Sequence, residues 1–106
     1  MKVDNLKNMI GGWFVGAFSP SVFNTTDCEV AVKTYSKGDE EKAHYHKIAT
    51  EITVVVEGTI MMSGNVYSKG DIVILAPGEI SDFIAITDAI NVVVKLPGAL
   101  NDKYIV

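Results

Sequence analysis

Glycine and proline recur at short, even intervals, and this punctuation limits the fold more than any other feature of the chain. Gly11-Gly12, Gly38, Gly58, Gly64, Gly70, Pro77-Gly78 and Pro97-Gly98 divide the sequence into pieces rich in Val, Ile, Thr and aromatics. Short β-formers between regular turn signals indicate an all-β sandwich or barrel. The expected strands are Trp13–Phe18, Glu29–Tyr35, Ala43–Lys47, Glu51–Val56, Thr59–Ser63, Asn65–Tyr67, Ile72–Leu75, Asp82–Ile86 and Asn91–Lys95. Ser63-Gly64-Asn65 offers the positive φ of a tight hairpin, and Ala76-Pro77-Gly78-Glu79 places Pro and Gly for a type II turn. Only Asp4 to Ile10 carries helical spacing, through Val3, Leu6 and Ile10. That segment is too short to hold a helix alone, so it docks on the barrel or frays.

Composition narrows the function. A chain of 106 residues builds one core, so residues 1–106 are expected to form a single domain. With 48% hydrophobic and 21% charged residues, disorder is excluded. No window reaches the ~18 apolar residues of a membrane span. All nine basic residues are Lys, and the net charge is −4. Without an Arg fork, neither nucleic acid nor a nucleotide diphosphate is an expected partner. Cys28 stands alone and cannot form an internal disulfide, which fits a reducing compartment. Lys2 and Lys7 ahead of Met9–Phe18 imitate a secretion signal, but Asp4 and three glycines dilute it. The expected location is cytoplasmic.

Several strands are apolar on both faces, notably Ile52–Val56, Ile72–Leu75 and Val92–Val94. A small antiparallel barrel alternates apolar-in with polar-out, so these strands need an outer cover. With no helix to supply one, a homodimer burying the outer face of one sheet is expected. The alternative is a sandwich covered by its own N-terminal segment.

The chemistry concentrates between Gly38 and Gly58, in GDEEKAHYHKIATEITVVVEG. His44 and His46 are two apart, so on a strand both imidazoles point to one face. Glu51 opens the next strand after a short turn. Two imidazoles and a carboxylate converging inside a barrel make a facial site for a divalent metal, Fe, Mn, Ni or Zn.

The same spacing resembles the first signature motif of the cupin superfamily: Gly38, five residues, His44, one residue, His46, four residues, Glu51, six residues, Gly58. The second cupin motif is visible in part within residues 70–85, as Gly70-Asp71, the run Ile72–Leu75, and Pro77-Gly78. The resemblance spans roughly residues 30 to 95. It implies a cupin double-stranded β-helix, an antiparallel jelly-roll barrel, here with a short N-terminal segment. It also implies His44, His46 and Glu51 as metal ligands. One departure stands out: the position of the family's third His is Ser81, and that of its usual Asn is Ala85. Asp82 becomes a replacement ligand if a β-bulge re-aims it inward. Thr53 and Val55 share Glu51's face and Phe83 shares Ser81's, so these four residues are expected to line the pocket.

Three states are open to such a site. It holds a metal with free positions for chemistry on a small polar metabolite, a sugar or carboxylic acid. Or it is metal-free, and the His pair with Glu51 binds or deprotonates such a ligand. Or it is vestigial, in a structural or ligand-binding module. Elsewhere, Tyr45 should face away from the histidines, Asp39-Glu40-Glu41 reads as a solvated turn, Met61, Met62, Trp13 and Phe14 as core or lining, and Cys28 as an inert thiol. Pro97–Val106 carries no assigned chemistry.

Overall fold

The alternation of apolar and polar residues folds into ten strands in two antiparallel sheets, in a computed structural model that describes residues 1–106. In chain order they are β1 (Trp13–Val15), β2 (Glu29–Tyr35), β3 (Glu40–Tyr45), β4 (Thr50–Glu57), β5 (Thr59–Met62), β6 (Asn65–Ser68), β7 (Ile72–Leu75), β8 (Ser81–Ala85), β9 (Ala89–Leu96) and β10 (Tyr104–Ile105). One sheet runs β1-β2-β9-β4-β7 and the other β10-β3-β8-β5-β6. No helix is long and apolar enough to cross a membrane.

The turn chemistry appears where the sequence places it. Ser63 and Gly64 both take positive φ between β5 and β6. Gly78 has φ +87°, and the Glu79 amide donates to the Ala76 carbonyl. Gly58 is a strict position: a Cβ there would lie 2.1 Å from the Asp88 carbonyl oxygen. The backbone of the β8–β9 turn passes too close for any side chain.

Inward residues of the two sheets meet in a plug of Val55, Ile60, Met62, Phe83, Ala85 and Ala89, with Tyr35, Tyr67, Val73 and Leu75 packed against it. Val55 and Ile60 are fully buried, and truncating Ile60 to Ala costs ~2–5 kcal/mol in such a setting. Tyr35 and Phe83 close the plug, their ring centroids 4.4 Å apart.

Four expectations change. The N-terminal segment forms only a 3-10 turn at Leu6–Asn8, with no buried residue. The first strand stops at Val15, because Gly16 and the Ser19-Pro20 pair break the ladder. β3 begins at Glu40 rather than Ala43 and ends at Tyr45, so His46 lies just past the strand. The tail contributes β10, which pairs Tyr104 with Tyr45 and Ile105 with His44.

The outer face of the first sheet carries two cross-strand rows of aliphatics. Val30, Val94, Ile52 and Ile74 stand in one register line, and Val32, Val92, Val54 and Ile72 in the next. On the β7 edge, Ile72 and Ile74 are each 61% exposed.

Candidate metal and ligand site

A bulge in β3 sets which side chains enter the barrel. Glu41 pairs with Phe83 and His44 with Ser81, so three residues of β3 span what β8 covers in two. Directly opposed residues in an antiparallel pair share a face. Phe83 and Ser81 both point inward and are buried. Glu41 and His44 therefore point inward together, although unbroken alternation would separate them. Glu41 is thus not part of a solvated turn. It lines the interior cavity with Tyr35, His44, Glu51, Thr53 and Ser81.

His46 is positioned by the tail. Its Nδ1 lies 3.1 Å from the Asp102 carbonyl oxygen, and His44 Nδ1 lies 2.9 Å from the Lys42 carbonyl oxygen. A carbonyl only accepts, so both Nδ1 atoms carry the proton and donate. Both Nε2 atoms are then left with a bare lone pair, the form that binds a metal or takes up a proton. The two rings meet edge to face with centroids 5.4 Å apart.

Asp102 does more than supply a carbonyl. Its carboxylate accepts from the backbone amides of Lys47, Ile48 and Ala49 at 3.0–3.2 Å, clamping the turn between the His strand and the Glu51 strand. Burial opposes its ionisation, yet these amides, aided by His46, hold its carboxyl below the usual Asp range. From the other side, the Gly78 amide donates to the His46 carbonyl at 2.7 Å. Tyr45 stacks on Tyr104, and the Lys47 ammonium lies 4.2 Å from the Tyr104 ring centroid.

Burial dominates the electrostatics. It pushes His46 below the ordinary His value, and the Lys95 charge adds to that. It raises the Glu51 carboxyl, against the opposing pull of Lys95. His46 Nε2 is sealed from solvent with no hydrogen-bond partner. It lies 3.8 Å from Glu51 Oε1. Tyr35 is pushed well above the usual phenol range, first by burial and then by the nearby Glu41 and Glu51 carboxylates.

The site residues separate into three groups. His44, His46 and Glu51 line one small cavity. As packed, no three His, Cys, Asp or Glu side chains form a group able to hold a metal ion. Ser81, Phe83 and Thr53 line the interior, as expected. Val55 does not; it lies deeper on the same face, in the apolar plug. Asp82 borders the interior cavity but is exposed, and its carboxylate accepts from the Ser63 amide at 2.9 Å; the bulge falls on β3 and not on β8, where it would turn this side chain inward. The interior cavity holds only about 30 Å³, one water's share of liquid volume. Tyr35, Met62, Leu75, Phe83 and Val93 fill the rest.

No family model and no curated protein sequence matches the chain. Solved structures do. An uncharacterized conserved protein with a double-stranded β-helix domain from Klebsiella pneumoniae superposes with a TM-score of 0.72, over 98% of this chain and 90% of its own, at 22% identity. An RmlC-like cupin from Shewanella frigidimarina gives 0.66 over 76% and 73% of the two chains, at 25% identity. A sugar phosphate isomerase of the cupin superfamily from Silicibacter pomeroyi gives 0.62 over 66% of this chain and 50% of its own, at 23% identity. The paired sheets are the double-stranded β-helix that these proteins share. The chain thus has the double-stranded β-helix fold of these cupin structures, with His44 on β3, His46 just past its end and Glu51 on β4.

Proposed function

We propose that this cupin-fold protein binds one divalent cation, Fe, Mn, Ni or Zn, through His46, Glu51 and His44, and that the cation serves to bind or transform a small polar metabolite. The observation that carries this reading is the sealed, partnerless His46 Nε2 at 3.8 Å from Glu51 Oε1. That gap is too long for a hydrogen bond and a few tenths of an ångström wider than the ~3.3–3.6 Å between two donors on one tetrahedral metal at ~2.0–2.2 Å. A buried lone pair with no partner costs ~1–3 kcal/mol, so a site that keeps one has a use for it. His44 lines the same cavity with the same tautomer and is the third member. When bound, such a cation supplies Lewis acidity toward a carbonyl, hydroxyl or carboxylate. The protein's part is to fix the imidazole tautomers and hold the turn through Asp102. Ser81, at the place of the family's third His, leaves one position without a protein ligand. The sugar phosphate isomerase among the structural neighbours fits a polar metabolite as ligand.

The test is elemental analysis of untagged protein. Near-stoichiometric metal that disappears in His46→Ala and Glu51→Ala supports the reading. No metal after reconstitution, with unchanged thermal stability, leaves a metal-free ligand-binding module instead.

We also propose that a second copy covers the outer face of the first sheet. The eight aliphatics of the two rows lie side by side on four strands, a patch too large and continuous for an ordinary solvated face.

A further inference from the structure

A second hollow of about 280 Å³ lies where the loop after β1 folds over the first sheet, and it shares no lining residue with the histidine cavities. Its volume is close to the lower end for small-molecule pockets, ~300 Å³. Trp13, Phe18, Pro20 and Ile10 form its apolar walls, and Glu29 and Lys95 are its charged groups.

These two charges oppose each other in the β2–β9 register, yet no ion pair joins them. The Lys95 ammonium lies 4.8 Å from the Trp13 ring centroid, and Lys33 lies 5.9 Å from it. Neither lysine has a carboxylate within ion-pair distance. Glu29 is only 7% exposed. Its Oε2 accepts from the Ala99 amide at 2.8 Å. Its Oε1 has no such bond and is not among the fully sealed atoms, so it keeps some accessible surface, on a residue that lines the hollow. A buried carboxylate with one oxygen unanswered is expensive, and so is a half-buried ammonium that packs on an indole and, though it opposes Glu51 in the β4–β9 register, makes no ion pair.

We infer that this hollow binds a small hydroxy acid as its monoanion. The ligand carboxylate meets Lys95, its hydroxyl donates to Glu29 Oε1, and its apolar body lies against Trp13 and Phe18. Lys95 answers the ligand's carboxylate and Glu29 Oε1 its hydroxyl, so the hollow favours a molecule that carries both groups over one that carries either alone. None of the three proposed metal ligands lines this hollow, and Phe18, unlike Lys95, has no part in the strand that opposes Glu51, so Phe18→Ala tests the hollow apart from the metal reading.

Trp13 is the sole tryptophan, so its fluorescence reports on this wall alone. The probes are sodium 3-phenyllactate, 3-phenylpropanoate without the hydroxyl, and 2-phenylethanol without the carboxylate. Phenyllactate should give a saturable change in Trp13 emission. It should bind about tenfold more weakly to Lys95→Met, the worth of one charge-assisted hydrogen bond. Phenylpropanoate should bind several-fold more weakly than phenyllactate, and 2-phenylethanol should not saturate. Phe18→Ala, in the covering loop, should also weaken phenyllactate, and added EDTA should change nothing. The inference is overturned by no saturation up to roughly 50 mM. It is equally overturned by equal binding of 2-phenylethanol, or by undiminished binding in both Lys95→Met and Phe18→Ala.

Discussion

Replacing Asp102 with Ala removes three amide–carboxylate hydrogen bonds but keeps the backbone carbonyl that His46 uses. Lys47 and Ile48 are exposed, so their amides rehydrate and each lost bond costs ~0.5–1 kcal/mol. Ala49 is buried, and its stranded amide costs ~1–3 kcal/mol. The sum is ~2–5 kcal/mol, centred near ~3. For a domain of this size each kcal/mol lowers Tm by ~4–8 °C, so a drop of ~12–24 °C is expected by circular dichroism at neutral pH. The effect should also depend on pH. The folded Asp102 carboxyl sits below its unfolded value, so its stabilisation is complete above the unfolded value and is lost as pH falls through the folded one. The gap between wild type and Asp102→Ala should therefore narrow in strong acid. Asp82→Ala is the control, because it removes one exposed bond and should cost no more than ~1 kcal/mol. A Tm for Asp102→Ala within ~3 °C of wild type, or a gap that persists unchanged to low pH, would refute the clamp.

Three further outcomes follow from the packing. Gly58→Ala should cost more than ~2 kcal/mol, because strained φ and a backbone collision combine; Gly64→Ala, with open space around it, should cost ~1 kcal/mol, and urea titration separates them. Ile72→Lys with Ile74→Lys should turn the dimer into a monomer in multi-angle light scattering without lowering Tm by more than a few degrees; a wild-type monomer at micromolar concentration would end the dimer proposal. His44→Ala should lower retained metal less steeply than His46→Ala, since only His46 already faces Glu51 at close range, and equal losses by elemental analysis would contradict that ranking.

The sequence made the strands legible because burial on one side imposes a period of two, and Glu29–Tyr35 and Ile72–Leu75 fall where the pattern puts them. The His44, His46 and Glu51 grouping was legible for the same reason, through spacing along two strands consecutive in the chain, β3 in one sheet and β4 in the other. What stayed hidden depends on contacts far apart in the chain or on phase. Asp102 acts on residues more than fifty positions away, and nothing near it in sequence announces that. Glu41 reads as solvated until a bulge shifts the phase of β3. Asp82 reads as a candidate ligand only if that irregularity falls on β8. Val55 has the right face but the wrong depth, and alternation says nothing about depth. The narrowness of the hollow follows from how Tyr35 and Phe83 meet, which no local pattern encodes.

The extra residue in β3 makes this strand unusually forgiving of a shortened gene. Losing one amino acid in mid-strand ordinarily turns everything on one side of the cut inside out. Here two residues, Lys42 and Ala43, already share the space opposite Asp82. Excising Lys42 would let the ladder close flush, with the acid at 41 and the imidazole at 44 keeping their present facing. Excisions of Thr53 or Val93, in the stretch where Thr50 to Val55 pair with β9 without a break, have no such slack.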